Sequence, residues 1–372
     1  MDNLRFSHTA HKRPVVVWNT TRQCNLHCVH CYSQSENKTY PEELTTNEAK
    51  AFIADLAEFG VPVLLFSGGE PLLRKNIFEL ARLASDAGIR AVLSTNGTLI
   101  TEETASKLKT AGFSYVGISL DGIGETNDKF RGAKNAFNAA VEGMRNCTEA
   151  GVRVGLRFTV TKYNYKDVPA IFDFAEAENI PRMCFYHLVY AGRGSSIAND
   201  DLTHQQTREF MDYILMKTEE LHKRGLNKEI LTVDNHSDAA YLYLKLKEKD
   251  PKRADEVLQL LRLNKGNSSG TGIACVDNLG YVHPDQFWRH YSLGNIRQRK
   301  FSEIWIDTSE PLLNALRNRK AHLEGRCKDC QFLDICNGNF RVRAEAIYGN
   351  MWAPDPACYL TDKEIGLNQE GQ

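Results

Sequence analysis

The alternation of apolar and polar positions divides the first 225 residues into strands and helices that follow one another in turn. Six runs have strand length and apolar character: PVVVW (14–18), VPVLLF (61–66), RAVLST (90–95), SYVGISL (114–120), VRVGLRFTV (152–160) and MCFYHLV (183–189). Several are unbroken, which is typical of parallel strands with helices on both faces. Amphipathic stretches separate these runs, and many of them end in glycine, as helices often do.

Six successive strand–helix units predict an α/β fold. Because parallel crossovers are right-handed, the units curl into a barrel-like sheet, but six units are fewer than the eight of a closed barrel. We therefore expect a partial (β/α)6 TIM-like barrel over residues 14–225, after an N-terminal segment at 1–13. Residues 226–265 are charged and helical in pattern, which predicts a helical connector. The composition changes after NKGNSSGTG, so we place a small C-terminal domain at 266–372.

Bulk composition narrows the class of protein. The chain has 372 residues, of which 42% are hydrophobic and 25% charged, as expected for a globular protein with a substantial core. Its formal net charge of -1 gives no electrostatic reason to expect nucleic acid or a membrane as partner. No apolar run reaches the ~20 residues of a membrane span, and the N-terminus lacks the apolar core of a signal peptide. We expect a cytoplasmic protein.

The ten cysteines carry the first chemical signal, because most of them are clustered. Without an export signal, clustered thiols indicate metal ligands rather than disulfides. Cys24, Cys28 and Cys31 follow the first strand with the spacing C-x3-C-x2-C. Three thiolates can hold three irons of a cubane cluster and leave the fourth iron open to an exogenous chelating ligand. Zinc remains an alternative, since His27 or His30 could complete a four-ligand site.

Three further motifs follow the ends of predicted strands: SGGEP (67–71), STNG (94–97) and SLDG (119–122). In barrel-type sheets, the chemistry lies in the loops after the carboxyl ends of the strands. Glycines there allow close backbone approach to a ligand, and Glu70 or a carbonyl group can accept an ammonium group. Each motif alone is typical of an ordinary βα turn. Their shared position beside the cysteine triplet predicts one ligand-lined rim.

A second group of cysteines lies in the predicted C-terminal domain. Its spacing is Cys327-x2-Cys330-x5-Cys336, and Cys358 follows later. Four thiols of this kind can bind either a zinc ion or a second [4Fe–4S] cluster.

The cysteine triplet with its following aromatic residue, GGEP, STNG and SLDG together resemble the radical S-adenosylmethionine (SAM) superfamily, over about residues 14–225. The resemblance implies a [4Fe–4S] cluster on Cys24, Cys28 and Cys31, with SAM bound at its open iron. A 5′-deoxyadenosyl radical would then abstract hydrogen from the substrate, after reduction by a low-potential protein such as flavodoxin or ferredoxin. The SAM-binding residues that the resemblance implies are Tyr32 at the adenine; Gly68, Gly69 and Glu70 at the methionyl amino group; and Asn96, Ser119 and Arg157 at the ribose or carboxylate.

The C-terminal segment is similar to the SPASM or twitch extensions of that superfamily. The resemblance implies one auxiliary [4Fe–4S] cluster, held by Cys327, Cys330, Cys336 and Cys358. The ligand set for a further cluster is broken: Cys275 matches its opening position, but Phe340 stands where another cysteine is expected. A cluster with four protein ligands suits electron transfer rather than direct substrate binding.

Longer runs, including KRPVVVWN, DNLGYVHPDQFWRHYSLGNIR and CNGNFRVRAEAIYGNMWAPDPACYL, resemble two related families of tetrapyrrole side-chain-modifying enzymes. One family, of the siroheme-dependent haem pathway, removes acetate side chains from 12,18-didecarboxysiroheme and yields Fe-coproporphyrin III. The other, of haem d1 synthesis, removes propionates from the same precursor. We expect acetate removal, and propionate removal is the alternative. A SPASM-type peptide maturase is a third possibility, and a non-enzymatic tetrapyrrole carrier is a fourth.

An iron tetrapyrrole with several carboxylates calls for arginine, histidine and aromatic side chains. The main substrate-binding candidates are Arg193, at the barrel rim, His283 and Arg341. Further residues of the same chemical types are His187, Tyr190, His236, Trp288, Arg289, His290 and Arg343.

Overall fold

The computed structural model describes residues 13–367, so the predicted N-terminal segment lies almost entirely outside the described residues. Within that range a ten-stranded sheet has the order β10-β9-β8-β1-β2-β3-β4-β5-β6-β7. The strands are β1 Val15–Thr21, β2 Val63–Gly68, β3 Arg90–Thr95, β4 Tyr115–Ser119, β5 Val154–Val160, β6 Arg182–His187, β7 Glu229–Val233, β8 Ile273–Val276, β9 Tyr281–His283 and β10 Gly294–Asn295.

Helices cover the sheet between successive strands and extend into the C-terminal part. They are α1 Thr46–Phe59, α2 Ile77–Asp86, α3 Glu102–Thr110, α4 Glu125–Arg131, α5 Ala136–Glu149, α6 Val168–Ala177, α7 His204–Lys223, α8 Ser237–Lys249, α9 Pro251–Asn264, α10 Phe301–Ile306, α11 Pro311–Arg317, α12 Gly325–Lys328, α13 Leu333–Cys336 and α14 Arg341–Tyr348. Short 3₁₀ segments are Pro71–Leu73, Tyr165–Asp167, Gly192–Asp200 and Arg319–Ala321. Helix α1 begins with a capping box in which Thr45 and Glu48 satisfy each other's backbone N–H groups.

The six predicted strands are confirmed as β1 to β6, and each pairs in parallel with the next. Most of their apolar residues are buried, and Trp18, Phe66 and Leu93 are fully so. The parallel sheet brings the carboxyl ends of the strands to one edge. The motifs that follow those strands therefore meet there.

A seventh parallel strand, β7, lies within the range predicted as a helical connector, and it pairs with β6 through Tyr186 and Val233. This strand is short and only partly buried. Its sequence, EILTV, lacks the unbroken apolar run that marks the other strands, and the sequence pattern therefore did not reveal it. The helical part of the prediction for 226–265 holds for α8 and α9 only.

The predicted boundary near residue 266 falls in the loop after α9, but the sheet continues across it. Strand β8 pairs in parallel with β1, where Cys275 lies opposite Val17, and β8, β9 and β10 pair antiparallel. The C-terminal segment thereby borders the open edge of the barrel. Within residues 13–367, no helix is long and apolar enough to cross a membrane.

Candidate active site

A cavity at the carboxyl edge of the parallel strands collects most of the residues predicted to bind the cofactor. Ten predicted site residues line it: Cys24, Cys28, Cys31, Tyr32, Gly68, Gly69, Asn96, Ser119, Arg157 and Arg193. They come from the loop after β1, from the ends of β2 to β5, and from the segment after β6. The sheet therefore gathers groups that are far apart in sequence around one concave space.

The two glycines of the GGEP motif fix the cysteine loop by close backbone contact. The Gly69 N–H donates to the Thr21 carbonyl (2.7 Å), and the Glu70 N–H donates to the Gln23 carbonyl (2.8 Å). A Cβ atom on Gly69 would lie 2.1 Å from the Gln23 carbonyl oxygen, so any side chain there would push the loop away. Both glycines also border the cavity, where their backbone groups face the ligand space.

The Glu70 side chain lies outside the cavity lining and is fully buried. Its carboxylate accepts hydrogen bonds from the Thr95 hydroxyl (2.8 Å) and from the backbone N–H groups of Asn96 (2.8 Å) and Leu72 (3.1 Å). Burial raises the pKa of Glu70 to about 6. These contacts join the ends of β2 and β3. The carbonyl groups of the same motif are therefore the better expectation for binding an ammonium group.

Asn96 links the STNG motif to the cysteine loop. Its side-chain amide donates to Asn25 Oδ1 (2.8 Å) and lies 3.9 Å from the Cys24 sulfur. Its own oxygen accepts from the Thr98 backbone N–H (2.9 Å). With both ends of its amide engaged, Asn96 is placed to orient Cys24 as well as to border the ligand space.

Cys28 has a cationic neighbour that the sequence alone did not reveal. The Arg131 guanidinium, at the end of α4, lies 3.7 Å from the Cys28 sulfur. Arg131 is also paired with the buried Asp121 carboxylate of the SLDG motif, which in turn accepts from the Thr159 N–H (2.6 Å). A buried carboxylate needs such a partner, so Asp121 was the signal that could have prompted a search for Arg131.

The environment opposes ionisation of two of the three thiols and favours it for the third. Burial raises the pKa of Cys24 to about 12, and burial also raises the pKa of Cys28 in spite of Arg131. Burial opposes ionisation of Cys31 as well, but hydrogen bonds from Ser33 and Ser35 outweigh it and lower the pKa of this thiol. Because metal sites bind thiolates, iron would supply the missing positive charge.

The grouping of the thiols bears on the two metals that the sequence left open. Thiolates on one tetrahedral zinc ion lie about 3.8 Å apart, as follows from a zinc–sulfur bond of about 2.3 Å. Across residues 13–367, no three His, Cys, Asp or Glu side chains are grouped closely enough to hold a single metal ion. In a cubane each thiolate binds a different iron, which requires wider spacing. The residues present therefore fit a cluster.

The four C-terminal cysteines line a second, separate cavity. Cys327, Cys330, Cys336 and Cys358 border it together, with apolar neighbours Phe332, Leu333, Leu360 and Ile365. Burial raises the pKa of Cys358 to about 11 and raises that of Cys336 as well. The positive charge of a bound metal would favour ionisation of Cys336 and Cys358. Four thiols around one space fit the predicted auxiliary cluster.

Cys275 lies apart from this second cavity, on β8. It is fully buried, and its sulfur accepts a hydrogen bond from the Asn19 side chain (3.5 Å). In this position next to β1, Cys275 is separate from the four C-terminal cysteines.

Tyr32 and Arg157 both line the ligand space. The Tyr32 hydroxyl donates to Asn19 Oδ1 (3.0 Å), and its ring packs edge-to-face on Phe287 at 5.5 Å. Arg157 lies opposite Ser119 in the sheet, with its guanidinium 4.5 Å from the centre of the Tyr186 ring. The guanidinium of Arg157 donates no hydrogen bond to any of the described residues. It is therefore available to a carboxylate of a bound ligand.

The three predicted substrate residues have mainly structural contacts. Arg193 borders the cavity, but its Nε donates to the Cys28 carbonyl (2.8 Å) and its Nη1 to the Ser35 carbonyl (3.1 Å), so it clamps the cysteine loop. His283 is buried against the Tyr291 carbonyl (2.6 Å). Arg341 lies at the start of a helix and donates to the carbonyls of Met351 and Ala353 (3.0 and 2.6 Å). The last two lie outside the cavity lining.

The structure adds lining residues that the sequence analysis missed: Tyr186, Asp234, Gln286 and Phe287. Asp234 follows β7 in the left-handed region (φ 68°). Its side chain is more than nine-tenths buried and has no hydrogen-bond partner among the described residues. Burial raises the pKa of Asp234 to about 7. Recognising β7 would have placed it at the same edge as the other motifs.

Comparisons with known proteins agree with this geometry. The family model of the radical SAM superfamily matches residues 18–175, and that of the SPASM iron–sulfur cluster-binding domain matches residues 267–331. The Fe-coproporphyrin III synthase of Methanosarcina barkeri is 62% identical over 359 residues, which cover 95% of this chain and 90% of the relative. The pre-heme d1 synthase of Dinoroseobacter shibae is 43% identical over 358 residues, which cover 95% and 88%.

Among solved structures, SuiB of Streptococcus suis bound to S-adenosylmethionine superimposes with a TM-score of 0.74. The superposition covers 94% of this chain and 78% of SuiB, with 18% sequence identity. At this identity the likeness is evidence for the fold alone. It confirms the predicted α/β architecture with its C-terminal iron–sulfur domain. The family matches confirm the predicted cofactor classes: a [4Fe–4S] cluster, SAM and an auxiliary cluster domain. The chain belongs to the radical SAM superfamily, among the members that carry a SPASM domain.

Proposed function

We propose that this enzyme removes the two acetate side chains of 12,18-didecarboxysiroheme and yields Fe-coproporphyrin III. The observation that carries the proposal is the 62% identity with the Methanosarcina Fe-coproporphyrin III synthase, which extends over 95% of the chain. The pre-heme d1 synthase covers the same 95% of this chain but is only 43% identical to it. No observation favours a peptide substrate, since the likeness to SuiB is one of fold.

When bound and reduced, a cluster of this kind supplies the electron that cleaves SAM and generates a hydrogen-abstracting 5′-deoxyadenosyl radical. The chain's own residues prepare that chemistry. Cys24, Cys28 and Cys31 would hold the cluster, and Arg131 places a positive charge beside one of the thiolates. Arg157 is available to a carboxylate, and the packed rings of Tyr32 and Phe287 give the space an apolar wall.

The four C-terminal cysteines would hold an auxiliary cluster whose irons are all bound by protein. Such a site suits electron transfer. We propose a low-potential protein, such as flavodoxin or ferredoxin, as the source of electrons, and the cytoplasm as the compartment. Across the described residues none of the ten cysteines forms a disulfide, which agrees with a reducing compartment.

Anaerobic turnover tests the proposal. The reconstituted enzyme is mixed with SAM, dithionite and 12,18-didecarboxysiroheme, and the tetrapyrrole products are analysed by mass spectrometry. We expect the loss of both acetate side chains and the mass of Fe-coproporphyrin III. A product that has lost propionate mass would instead assign the enzyme to haem d1 synthesis. If SAM is cleaved but the tetrapyrrole is unchanged, 12,18-didecarboxysiroheme is not the substrate.

A further inference from the structure

A second concave surface lies next to the SAM cavity, between the segment after β6 and helix α14. We call it the rim groove. Its lining includes Tyr32, Tyr190, Phe287, Arg289, Val342 and Ala346. Tyr32 and Phe287 line both the rim groove and the SAM cavity, so the two spaces meet at this aromatic pair.

The two spaces differ in size in a way that suits a large substrate with a small reacting group. The rim groove has a volume of about 620 Å³, which lies within the range of about 300–1,000 Å³ that is typical of sites for sizeable ligands. The SAM cavity has about 160 Å³. The rim groove therefore has room for a macrocycle, whereas the SAM cavity must already hold the cluster and SAM and leaves room only for a substrate side chain.

The charge of the rim groove suits a ligand with carboxylates at its edge. Arg289 is about four-fifths buried, and its nearest charged partner is Asp277, at the long distance of 3.9 Å. No described residue accepts a hydrogen bond from its guanidinium. Arg22 also borders the groove, but its guanidinium already donates to the carbonyls of Ser33 (3.1 Å) and Gln34 (3.4 Å), so it adds positive charge rather than a free partner. Arginine pairs with carboxylates through two parallel hydrogen bonds.

The walls of the rim groove suit the faces of a flat ring system. Phe287 packs edge-to-face on both Tyr32 (5.5 Å) and Phe340 (5.7 Å), which fixes its orientation. Further apolar surface comes from Tyr190, Val342 and Ala346. The Tyr190 ring is held in place because its hydroxyl donates a hydrogen bond to Asp201 (2.7 Å). Rigid aromatic and aliphatic side chains bind a planar apolar ligand at low entropic cost.

We propose that the rim groove is the docking site of the tetrapyrrole macrocycle, that Arg289 pairs with one of its peripheral carboxylates, and that the reacting side chain reaches into the SAM cavity beside Tyr32 and Phe287. This inference rests on the proposed function and adds to it the place and the contacts of the substrate. It also replaces His283 and Arg341, which are buried elsewhere, as substrate-binding residues.

Two pairs of variants test the inference. Ala346→Trp fills the groove, and Ile347→Trp is its control, because Ile347 is exposed on the same helix and does not line the groove. Arg289→Gln removes the carboxylate partner, and Arg253→Gln is its control, at an exposed ion pair on α9. Fe-coproporphyrin III is titrated against each reconstituted protein without SAM, and binding is followed by the absorbance of the tetrapyrrole. Iron content per chain verifies that each variant is assembled.

We expect Arg289→Gln to weaken tetrapyrrole binding about 10- to 100-fold, as the loss of a charge-assisted hydrogen bond predicts. Ala346→Trp should weaken it by about tenfold or more through overpacking. In turnover the KM should rise more than kcat falls, and both controls should match the unaltered enzyme. If the enzyme binds and converts the tetrapyrrole but both groove variants bind it equally well, the docking site is wrong while the function stands. If the unaltered enzyme neither binds nor converts it, both proposals fall.

Discussion

The two cysteine sites of this chain differ in what surrounds their thiols. The site after β1 has three thiols, open space beside them, and polar groups from several strand ends around that space. The C-terminal site has four thiols and an apolar surround that includes Phe332, Leu333 and Leu360. Three thiols leave one iron of a cubane free for an exogenous ligand, whereas four thiols leave none. The count of thiols and the polarity of their surroundings are therefore what would separate the proposed reactive site from the proposed electron-transfer site.

A difference in how the thiols are held accompanies this difference in chemistry. The loop of the first site is tied by hydrogen bonds from Gly69, Glu70 and Arg193, each from a different part of the chain than the cysteines. Three of the four cysteines of the second site lie close together in the sequence, within residues 327–336, and Cys358 supplies the fourth thiol. The first site therefore depends on the complete barrel.

Removing one thiol of the first site should have the largest effect. Cys28→Ala should abolish the formation of 5′-deoxyadenosine, because a cluster with two protein ligands is not retained. Cys147→Ala, at a buried cysteine on α5 far from both sites, is the matched control and should remain active. Chromatographic measurement of 5′-deoxyadenosine after reduction with dithionite checks this. Turnover retained in Cys28→Ala would refute the assignment of the open site.

The double variant Cys327→Ala/Cys330→Ala should lose the second cluster while keeping the first. Iron per chain should fall to about half of the two-cluster total, because each cluster holds four irons. SAM cleavage under dithionite should persist, whereas tetrapyrrole conversion should fail. Metal analysis and product analysis on the same preparation check both statements. Unchanged iron with loss of zinc would identify the second site as a zinc site.

Asp234 gives the first site a pH dependence. Its pKa of about 7 in the folded chain lies above its ordinary value of 3.8, so the folded state binds more protons between these values. Its contribution to stability therefore falls as pH rises from about 4 to about 7 and stays low above that. Asp234→Asn should stabilise the protein at pH 8 by up to about 4 kcal/mol and leave it unchanged near pH 4. Thermal unfolding across this range checks the sign; a pH-independent difference would contradict it.

Arg193→Lys should have a smaller effect that separates clamping from substrate binding. Lysine cannot reproduce both hydrogen bonds to the Cys28 and Ser35 carbonyls, so stability should fall by about 1–3 kcal/mol. Loss of iron to a chelator should accelerate, with the KM for the tetrapyrrole unchanged. Arg145→Lys, at an exposed ion pair with Glu178, is the control. A rise in KM without faster loss of iron would restore Arg193 as a substrate residue.

The parts of the structure that the sequence predicted are those encoded by local patterns. Strands β1 to β6 carry apolar runs, and each cysteine set carries its own spacing. Strand β7 was missed because EILTV is short and partly exposed, and Asp234 was missed with it. The contact of Arg131 with Cys28 joins residues 103 positions apart, which no local pattern records.

The substrate residues were the least predictable part, because residue type does not determine the direction of a side chain. Arg341 and Arg343 were both among the substrate-binding candidates, and they lie together on helix α14. Both are buried, and Arg343 forms an ion pair with Asp355 (3.0 Å). Burial of these arginines directs them to backbone carbonyls and carboxylates of the protein itself. Arg289 makes no hydrogen bond to a described residue and reaches only Asp277, at 3.9 Å, so it is the arginine left for a ligand at the groove.

The most direct test of the difference between the two cysteine sites is the electron paramagnetic resonance spectrum of the reduced protein with and without SAM. It is recorded for the variant that lacks the C-terminal cluster and for Cys28→Ala. We predict that SAM changes the spectrum of the former, whose remaining cluster has an open iron, and leaves the spectrum of Cys28→Ala unchanged. A spectrum of Cys28→Ala that responds to SAM would contradict the assignment of the open and closed sites.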